Sequence, residues 1–288
     1  MPNRKISGII HITLSALFFG SYGVWSKLMG NSFGEFSQGW TRAALLLALL
    51  IPIGIYKQQF KPVKRKDWIW FGLVSLGGLN QAPYFYAFEH MDIGTATLLF
   101  YASLTIGGYM VGKIVLKEHI GTIKILSLLL ALLGMVILYG MNIKLGNLLP
   151  GASAILAGLI GGVEVSTSKK ISDRYSNIQI LVVLFIVMLV GNLPFGLLRH
   201  EMIPTVTDTA WLAQIGYTLS MLGAMYFVIK GFKYIEASVG SIVGLSEILF
   251  AIIFGMIFFG EYLTFAMFVG GMLIIGAGVL PNISVGRK

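Results

Sequence analysis

The chain contains ten apolar stretches, each about as long as the hydrocarbon core of a membrane is thick. A helix rises about 1.5 Å per residue, so roughly 20 apolar residues cross that core. The stretches lie near residues 7–29, 36–56, 67–88, 94–113, 123–142, 149–168, 178–198, 209–229, 237–258 and 263–281. The segments between them are too short to hold a soluble domain. The sequence therefore predicts an all-α membrane protein with ten transmembrane helices, the first of them retained rather than cleaved as a signal peptide.

The charged residues favour one orientation of these helices. The chain has 21 Lys and Arg against 12 Asp and Glu, a formal net charge of +9. If the N-terminus is cytoplasmic, 17 of the 21 basic residues fall in or beside cytoplasmic segments. This bias predicts that both termini are cytoplasmic and that the protein is a multi-pass protein of the inner (plasma) membrane. Because the positive charge follows the topology, nucleic acid is not expected as a partner.

The sequence repeats itself at a spacing of 143 residues. At that spacing Glu118 matches Glu261, and the tryptophans that open the third and eighth stretches also match. The predicted repeats are residues 6–141 and 148–282. Each holds five stretches, an odd number, so the second repeat enters the membrane from the opposite side. Inverted repeats of this kind place a substrate site near the bilayer midplane and rock around it, which favours a transporter over a channel or an enzyme.

A carboxylate breaks this repeat. In "GLSEILFAIIFGMIFFGE", Glu247 occupies the position that Leu104 holds in the first copy. An ionised carboxylate facing lipid costs several kcal/mol. Glu247 follows Gly240 by seven residues and Gly244 by three, so it shares a helix face with small residues that allow close helix packing. We expect it to face the interior of the bundle and to handle substrate or protons. The alternative is a protonated carboxyl with a structural hydrogen bond.

Further polar residues are expected beside Glu247. Glu164 breaks the repeat in the same way, and its alternative role is an internal ion pair with Lys169 or Lys170. In "LNQAPYFYAF", two amides either line the site or satisfy the carbonyl that Pro83 frees. Aromatic rings with polar tips suit a cation or an ammonium group, although such residues also form packing contacts and interfacial belts. The predicted substrate-binding residues are Glu247, Glu164, Tyr22, Trp25, Asn80, Gln81, Tyr84, Tyr101 and Tyr217.

Two basic residues lie toward the outer leaflet. Lys27 is expected to extend its amine to the interface. Arg42 lies deeper and either pairs with Glu35 or holds a carboxylate of the substrate. At the short turns, Glu118 and Glu261 are expected to complement the N-terminal dipole of the helix that follows.

Several segments resemble one transporter family. "FFGSYGVWSKL" contains a Gly followed seven residues later by Lys, and "WTRAALLLALL" has an Arg before a leucine-rich run. "GEYLTFAMFVGGMLIIGAGVLP" has a Gly-Glu turn and a closing Gly-rich helix, and "YAFEHMDIGTATLL" and "KGFKYIEASVGSIV" look like helix hairpins. Over nearly its whole length the chain resembles the EamA-type family of the drug/metabolite transporter superfamily. It departs from that pattern at Ile248, where the family often has Pro, and at Lys117, where a Gly is usual.

The resemblance implies a carrier that moves small polar metabolites without ATP hydrolysis, often amino acids and often outward. We expect an amino acid or a relative, exported by alternating access. The alternative is an organic cation such as a quaternary amine, taken up and held by aromatic rings with Glu164 and Glu247. Expected partners are the small-molecule substrate, the lipid bilayer and protons as the coupling ion.

The sequence indicates no cofactor, no metal and no oligomeric state. The chain has no cysteine, which excludes disulfides and thiolate metal sites. It also contains no nucleophile motif and no phosphate loop, so an enzyme is not expected. Its polar residues form isolated patches, whereas a channel needs a continuous polar stripe.

Overall fold

The computed structural model describes residues 2–91, 93–140 and 148–283, and this part of the chain contains helices and connections but no strand. The prediction of an all-α chain is confirmed. The α-helices in it are α1 (Pro2–Gly20), α2 (Tyr22–Met29), α3 (Glu35–Tyr56), α4 (Trp68–Ser75), α5 (Gln81–His90), α6 (Ile93–Met110), α7 (Thr122–Tyr139), α8 (Leu148–Thr167), α9 (Asn177–Leu198), α10 (Ala210–Phe232), α11 (Ala237–Gly244), α12 (Ser246–Phe259) and α13 (Phe265–Ile283).

Eight helical segments in the described residues are long and apolar enough to cross a membrane. They are Arg4–Met29, Glu35–Tyr56, Thr95–Val115, Thr122–Tyr139, Leu148–Lys170, Asn177–Leu198, Ala210–Phe232 and Ala237–Phe259. A shorter apolar helix covers Phe265–Pro281. Hydrogen bonds inside each helix satisfy the backbone, which is what the hydrocarbon core requires. The protein is therefore a multi-pass membrane protein.

The predicted third stretch, 67–88, is not one continuous helix. It consists of α4, a 3-10 turn at Leu76–Leu79, and α5. Pro83, in the first turn of α5, has no N–H to donate to the carbonyl of Leu79 four residues earlier, which favours a break at this turn. Gly78 packs directly on α9, where an added Cβ would lie 2.6 Å from the Met188 nitrogen. Two consecutive glycines permit this close approach and weaken the α-helix at the same point.

The predicted ninth stretch is also divided. The backbone tightens at Leu245, whose N–H donates to the Ile242 carbonyl at 3.1 Å, and α12 begins at the next residue. The break therefore forms although Ile248 replaces the proline that is frequent in the family. Glu247 consequently lies in the first turn of α12.

The most extensive helix packing joins the two predicted repeats. Helix α6 packs on α8, α3 on α9, α7 on α13, and α1 on α10 and α12. Glycines make these contacts close: an added Cβ at Gly162 of α8 would collide with the Leu104 carbonyl of α6. Small residues are what helix association in lipid requires, because the lipid tails are as apolar as the side chains.

We call the end of the bundle at which α1 begins the amino-terminal end, and the other the opposite end. At the amino-terminal end, Arg174 Nη2 lies 2.7 Å from Asp67 Oδ1, and the Tyr175 hydroxyl donates to Asp67 Oδ2 at 2.8 Å. The Tyr175 hydroxyl also accepts from the Lys64 N–H at 3.0 Å. These contacts connect the two repeats outside the apolar spans.

Candidate functional site

Glu247 faces the interior of the bundle. Its carboxyl lies within hydrogen-bonding reach of the Tyr101 hydroxyl of α6. It also interacts electrostatically with Tyr84 and Tyr139. The carboxyl is enclosed by protein atoms, and part of the residue's surface stays accessible. Glu247 is therefore placed among polar aromatic side chains.

Four tyrosines of the predicted site converge around this carboxyl. The rings of Tyr22 and Tyr217 lie 4.5 Å apart, which joins α2 to α10. Tyr84 of α5 interacts electrostatically with both Tyr217 and Glu247, and so connects this pair to the acid. Each of the four is half-buried. These four rings form an aromatic wall beside the Glu247 carboxyl.

Glu164 reaches the same region from α8. Its carboxyl lies against Gly77 in the 3-10 turn between α4 and α5, where an added Cβ would collide with it. Glu164 and Glu247 both interact electrostatically with Tyr22. The predicted alternative, an ion pair between Glu164 and a neighbouring lysine, is wrong. Lys169 lies 3.5 Å from Glu118 and donates to the Ile235 carbonyl at 2.7 Å.

Lys170, the other predicted partner of Glu164, lies 5.5 Å from the centre of the Trp70 ring. Both lysines follow α8 in a 3-10 turn at the amino-terminal end, whereas Glu164 is still inside the helix. The turn directs the ammonium groups away from the bundle interior. That direction is set by backbone geometry beyond the helix, which sequence spacing alone does not show.

The remaining predicted residues are placed in three ways. Asn80 precedes α5, and its Oδ1 is buried without a hydrogen-bond partner in the described part of the chain. An oxygen of this kind is available to a ligand. The side chain of Gln81 lies outside the described residues. Trp25 packs against α10, where its Nε1 donates to Ser220 Oγ at 2.8 Å and to Ser21 Oγ at 3.2 Å. The structure therefore brings Asn80 toward the site but uses Trp25 in helix packing.

Two residues outside the predicted set belong to this region. Tyr139, at the end of α7, interacts electrostatically with Glu247 and Tyr84. Arg42 of α3 is 3% exposed and lies 4.0 Å from the centre of the Tyr217 ring. Tyr139 resembles any interfacial tyrosine in sequence, so no pattern marks it. Arg42 could have been predicted as a site residue from the sequence, because a cation deep inside an apolar helix is energetically costly and needs a role.

The expected pair of Arg42 with Glu35 is not formed. Glu35 Oε2 accepts from Arg199 Nη1 at 3.1 Å at the opposite end of the bundle. Arg42 Nη1 instead donates to Gln38 Oε1 at 3.1 Å, one helical turn away. Residues seven apart on a helix are two turns apart, and the nearer Gln38 side chain meets the guanidinium first.

The acidic residues at the short turns differ from the expectation in part. Glu118 caps a helix N-terminus, but that helix is α11 rather than the following α7: Ala237 N donates to its Oε1 at 2.6 Å. Glu261 lies 3.3 Å from the amine of Lys27. Lys27 thus has an ion-pair partner, and more than half of its side chain is exposed, which suits the expected interfacial position.

The charged and aromatic groups of the region are suited to binding a small molecule. In the described residues no group of three or more His, Cys, Asp or Glu side chains is arranged to hold a metal ion. The two carboxyls and the electron-rich faces of the tyrosine rings favour a positively charged nitrogen. Arg42, which also interacts electrostatically with Tyr22, offers a positive charge.

The apolar helices and the polar side chains between them define a multi-pass membrane protein with charged groups in its interior. The sequence profile of the EamA-like transporter family matches residues 6–140 and 150–282. The chain belongs to this family, as its sequence indicated, and its role is therefore transport rather than enzymatic catalysis.

Similar proteins agree with this assignment. An uncharacterized transporter of Helicobacter pylori strain J99 is 24% identical over 97% of this chain and 96% of its own. An uncharacterized transporter of Archaeoglobus fulgidus is 27% identical over 93% of both chains. A protein of known crystal structure superimposes with a TM-score of 0.79 over 98% of both chains at 17% identity, which shows that the two share a fold.

Proposed function

We propose that this transporter is a secondary carrier of the inner membrane with ten spans in two inverted repeats and both termini in the cytoplasm. It would move a small metabolite that carries a positively charged nitrogen, by alternating access. The two carboxyls that enter the bundle interior, Glu164 and Glu247, carry the proposal because neither has a counter-cation among the described residues. A cationic group of the substrate would supply it.

An amino acid or a relative is the substrate class that we favour, with export as the direction. The cluster of Glu247, Tyr101 and Tyr84 suits an ammonium group, since a carboxylate accepts its hydrogen bonds and the rings face its charge. Protons are the proposed coupling ion. A carboxyl that is released from the substrate on one side of the membrane can take up a proton before the carrier returns.

The alternative is an organic cation such as a quaternary amine, possessing the nitrogen charge but no carboxylate. The aromatic wall favours this reading as well, because the faces of aromatic rings are the usual receptors of quaternary ammonium groups. In that case the carrier would work in the direction of uptake. The two substrate classes differ in one requirement. An amino acid needs a cationic protein side chain to bind its carboxylate, and a quaternary amine does not.

The central test is Glu247→Gln in purified protein reconstituted into liposomes. We expect loss of counterflow of the transported substrate and loss of its dependence on a pH gradient, while the variant remains monodisperse. Glu236→Gln is the matched control, because Glu236 lies 3.0 Å from the Lys124 amine and 47% of its side chain is exposed. Full counterflow in Glu247→Gln would remove this carboxyl from the mechanism.

A further inference from the structure

We infer that Arg42 is the receptor for a carboxylate on the substrate, which makes the substrate a zwitterion. This inference rests on the proposed function and chooses between its two substrate classes. Arg42 is 3% exposed. Its Nη1 bonds to Gln38 and its plane lies 4.0 Å from the Tyr217 ring, but its Nε is buried without a hydrogen-bond partner in the described chain.

A buried guanidinium in this state calls for an anion. Arginine keeps its proton at all physiological pH values, and a buried charge is costly unless it is paired and hydrogen-bonded. No acidic side chain forms an ion pair with Arg42 in the parts of the chain that the structure describes. A carboxylate would accept from Nε and from a second nitrogen of the same fork, as guanidinium–carboxylate pairs do.

Arg42 and the two acids have a common neighbour. Tyr22 interacts electrostatically with Arg42, with Glu164 and with Glu247. Its hydroxyl is buried and, within the described residues, without a hydrogen-bond partner. A molecule beside Tyr22 can therefore present its carboxylate to Arg42 and its ammonium group to a carboxyl. A quaternary amine would leave the guanidinium unpaired, so the zwitterion fits the region better.

The test compares an amino acid with its amide, which keeps the ammonium group but lacks the carboxylate. Liposomes that contain wild type or Arg42→Gln are assayed for counterflow of amino acids and of the corresponding amides. The panel of amino acids covers different substrate side chains. Loss of a charge-assisted pair should raise the ratio of the KM for the amino acid to that for the amide by roughly 10- to 100-fold. Arg42→Lys, which keeps the charge but not the fork, should give an intermediate ratio.

Thermal unfolding without substrate provides the second readout. Arg42→Met removes an unpaired buried charge, so we expect its Tm to be no lower than that of wild type. An unchanged KM ratio in Arg42→Gln would overturn the inference and leave the proposed carrier intact. Failure of wild type to move any amino acid, amide or amine would instead overturn the proposed function.

A second and independent feature is a matched pair of carboxylates at the two ends of the bundle. Glu118, at the amino-terminal end, accepts from Ala237 N at 2.6 Å, from Ser238 N at 3.2 Å and from Ser238 Oγ at 2.9 Å. Lys169 lies 3.5 Å away, and the Glu118 side chain is 6% exposed. These bonds join the turn between α6 and α7 in the first repeat to the start of α11 in the second.

At the opposite end, the equivalent carboxylate forms an ion pair, but its carboxyl accepts no hydrogen bond from the start of a helix in the described residues. Glu261 lies 3.3 Å from Lys27, and its side chain is 53% exposed. At the spacing of 143 residues Glu118 aligns with Glu261, and Lys27 aligns with Lys170, the neighbour of Lys169, so a similar ion pair occurs at both ends. In both copies the carboxyl also lies against a glycine of the helical segment that precedes it, Gly112 and Gly255, where an added Cβ would meet it.

The geometry points to a latch that closes the two ends in turn, given alternating access. The spacing of 143 residues aligns Ser238 with Thr95, which also carries a hydroxyl at the start of a helix. In the other state of the carrier, Glu261 would bind the start of α6 at Thr95 while Glu118 releases α11. The structure shows the first of these states, with the amino-terminal end latched.

Because the chain has no cysteine, a single introduced thiol reports on one position. Ser166 is fully buried, and an added Cβ at Gly108 would contact both Ser166 and Ser241, which places Ser166 where α6, α8 and α11 meet. Ser166→Cys is labelled with a membrane-impermeant maleimide from the cytoplasmic face of proteoliposomes. Glu118→Gln is then added to this variant. It replaces one acceptor oxygen of the carboxylate by an NH2 group, which cannot accept from the N–H groups at the start of α11. The amino-terminal end should open more often, and the labelling rate of the thiol should rise roughly fivefold or more.

Glu261→Gln, also combined with Ser166→Cys, tests the latch at the opposite end. It weakens only the other latch, so it should lower the labelling rate or leave it unchanged. Labelling that does not respond to Glu118→Gln would overturn the latch, as would a rise of equal size in both variants. Glu236→Gln, a surface acid beside α11, serves as the control for a loss of charge alone.

Discussion

At the scale of single residues, the site is built from side chains that differ between the two repeats at aligned positions. Glu247 replaces Leu104 of the first copy, and its carboxyl interacts with the Tyr101 hydroxyl. A hydrogen bond from a phenol selects one position of the carboxyl among those that the glutamate side chain allows. Tyr101 is therefore expected to position the acid for the ammonium group.

Tyr101→Phe tests this positioning role. It removes the hydroxyl and keeps the ring, so the net loss should be about 1 kcal/mol of substrate binding. We expect the KM for counterflow to rise about fivefold with little change in the maximal rate. Tyr262→Phe, at a residue that is 89% exposed, is the matched control. An unchanged KM in Tyr101→Phe would contradict the role.

Sequence reasoning reached part of this site. Glu247, Tyr84 and Tyr101 were predicted from cost and periodicity, because an acid in an apolar helix has few places to lie. Tyr139 could not be found in this way, since its helix meets Glu247 only through tertiary packing. Trp25 shows the converse: its indole N–H is satisfied by Ser220, a contact 195 residues away in sequence.

At the scale of elements, glycines decide which helices approach each other. Gly158 and Gly162 of α8 both lie on the backbone of α6, where an added Cβ would collide with a carbonyl in each case. The sequence identified the small-residue faces but not their partners, because many helices carry such faces. It also missed the division of the third stretch, where Gly78 contacts α9.

Gly162→Ala should therefore destabilise the protein by about 1–3 kcal/mol, since the added methyl overpacks the α6–α8 contact. The matched control is Gly72→Ala on α4, where an added Cβ meets no atom within 4 Å. There the better helix propensity of alanine should be neutral or stabilising by up to about 1 kcal/mol. Thermal unfolding of the two variants in detergent provides the measurement. Equal Tm values for both would contradict the close packing of α8 on α6.

At the scale of the whole molecule, the Asp67–Arg174–Tyr175 cluster connects the repeats outside the membrane spans. Burial raises the pKa of the Asp67 carboxyl, but the hydrogen bond from Tyr175 and the charge of Arg174 lower it further, so the pKa lies below its usual range. A depressed folded-state pKa stabilises the fold above the unfolded value of about 4. That contribution disappears as the pH falls through the folded-state pKa.

Asp67→Asn should consequently lower Tm at neutral pH, and the difference from wild type should shrink as the pH falls below about 4. The measurement is Tm against pH for wild type and variant in the same detergent. Asp173→Asn is the control, because that carboxyl is 72% exposed and pairs only with Lys233 among the described residues. A difference that stays constant across the acid range would show that the charge of Asp67 does not connect the repeats.

The division of charge between the repeats has a consequence for any attempt to take the protein apart. Glu247 belongs to the second repeat and is aligned with Leu104, while Arg42 belongs to the first and is aligned with the buried Phe185. If the substrate is the zwitterion proposed above, neither five-helix half on its own holds both of the charged groups that would bind it. A split gene should then restore counterflow only when both halves are produced together.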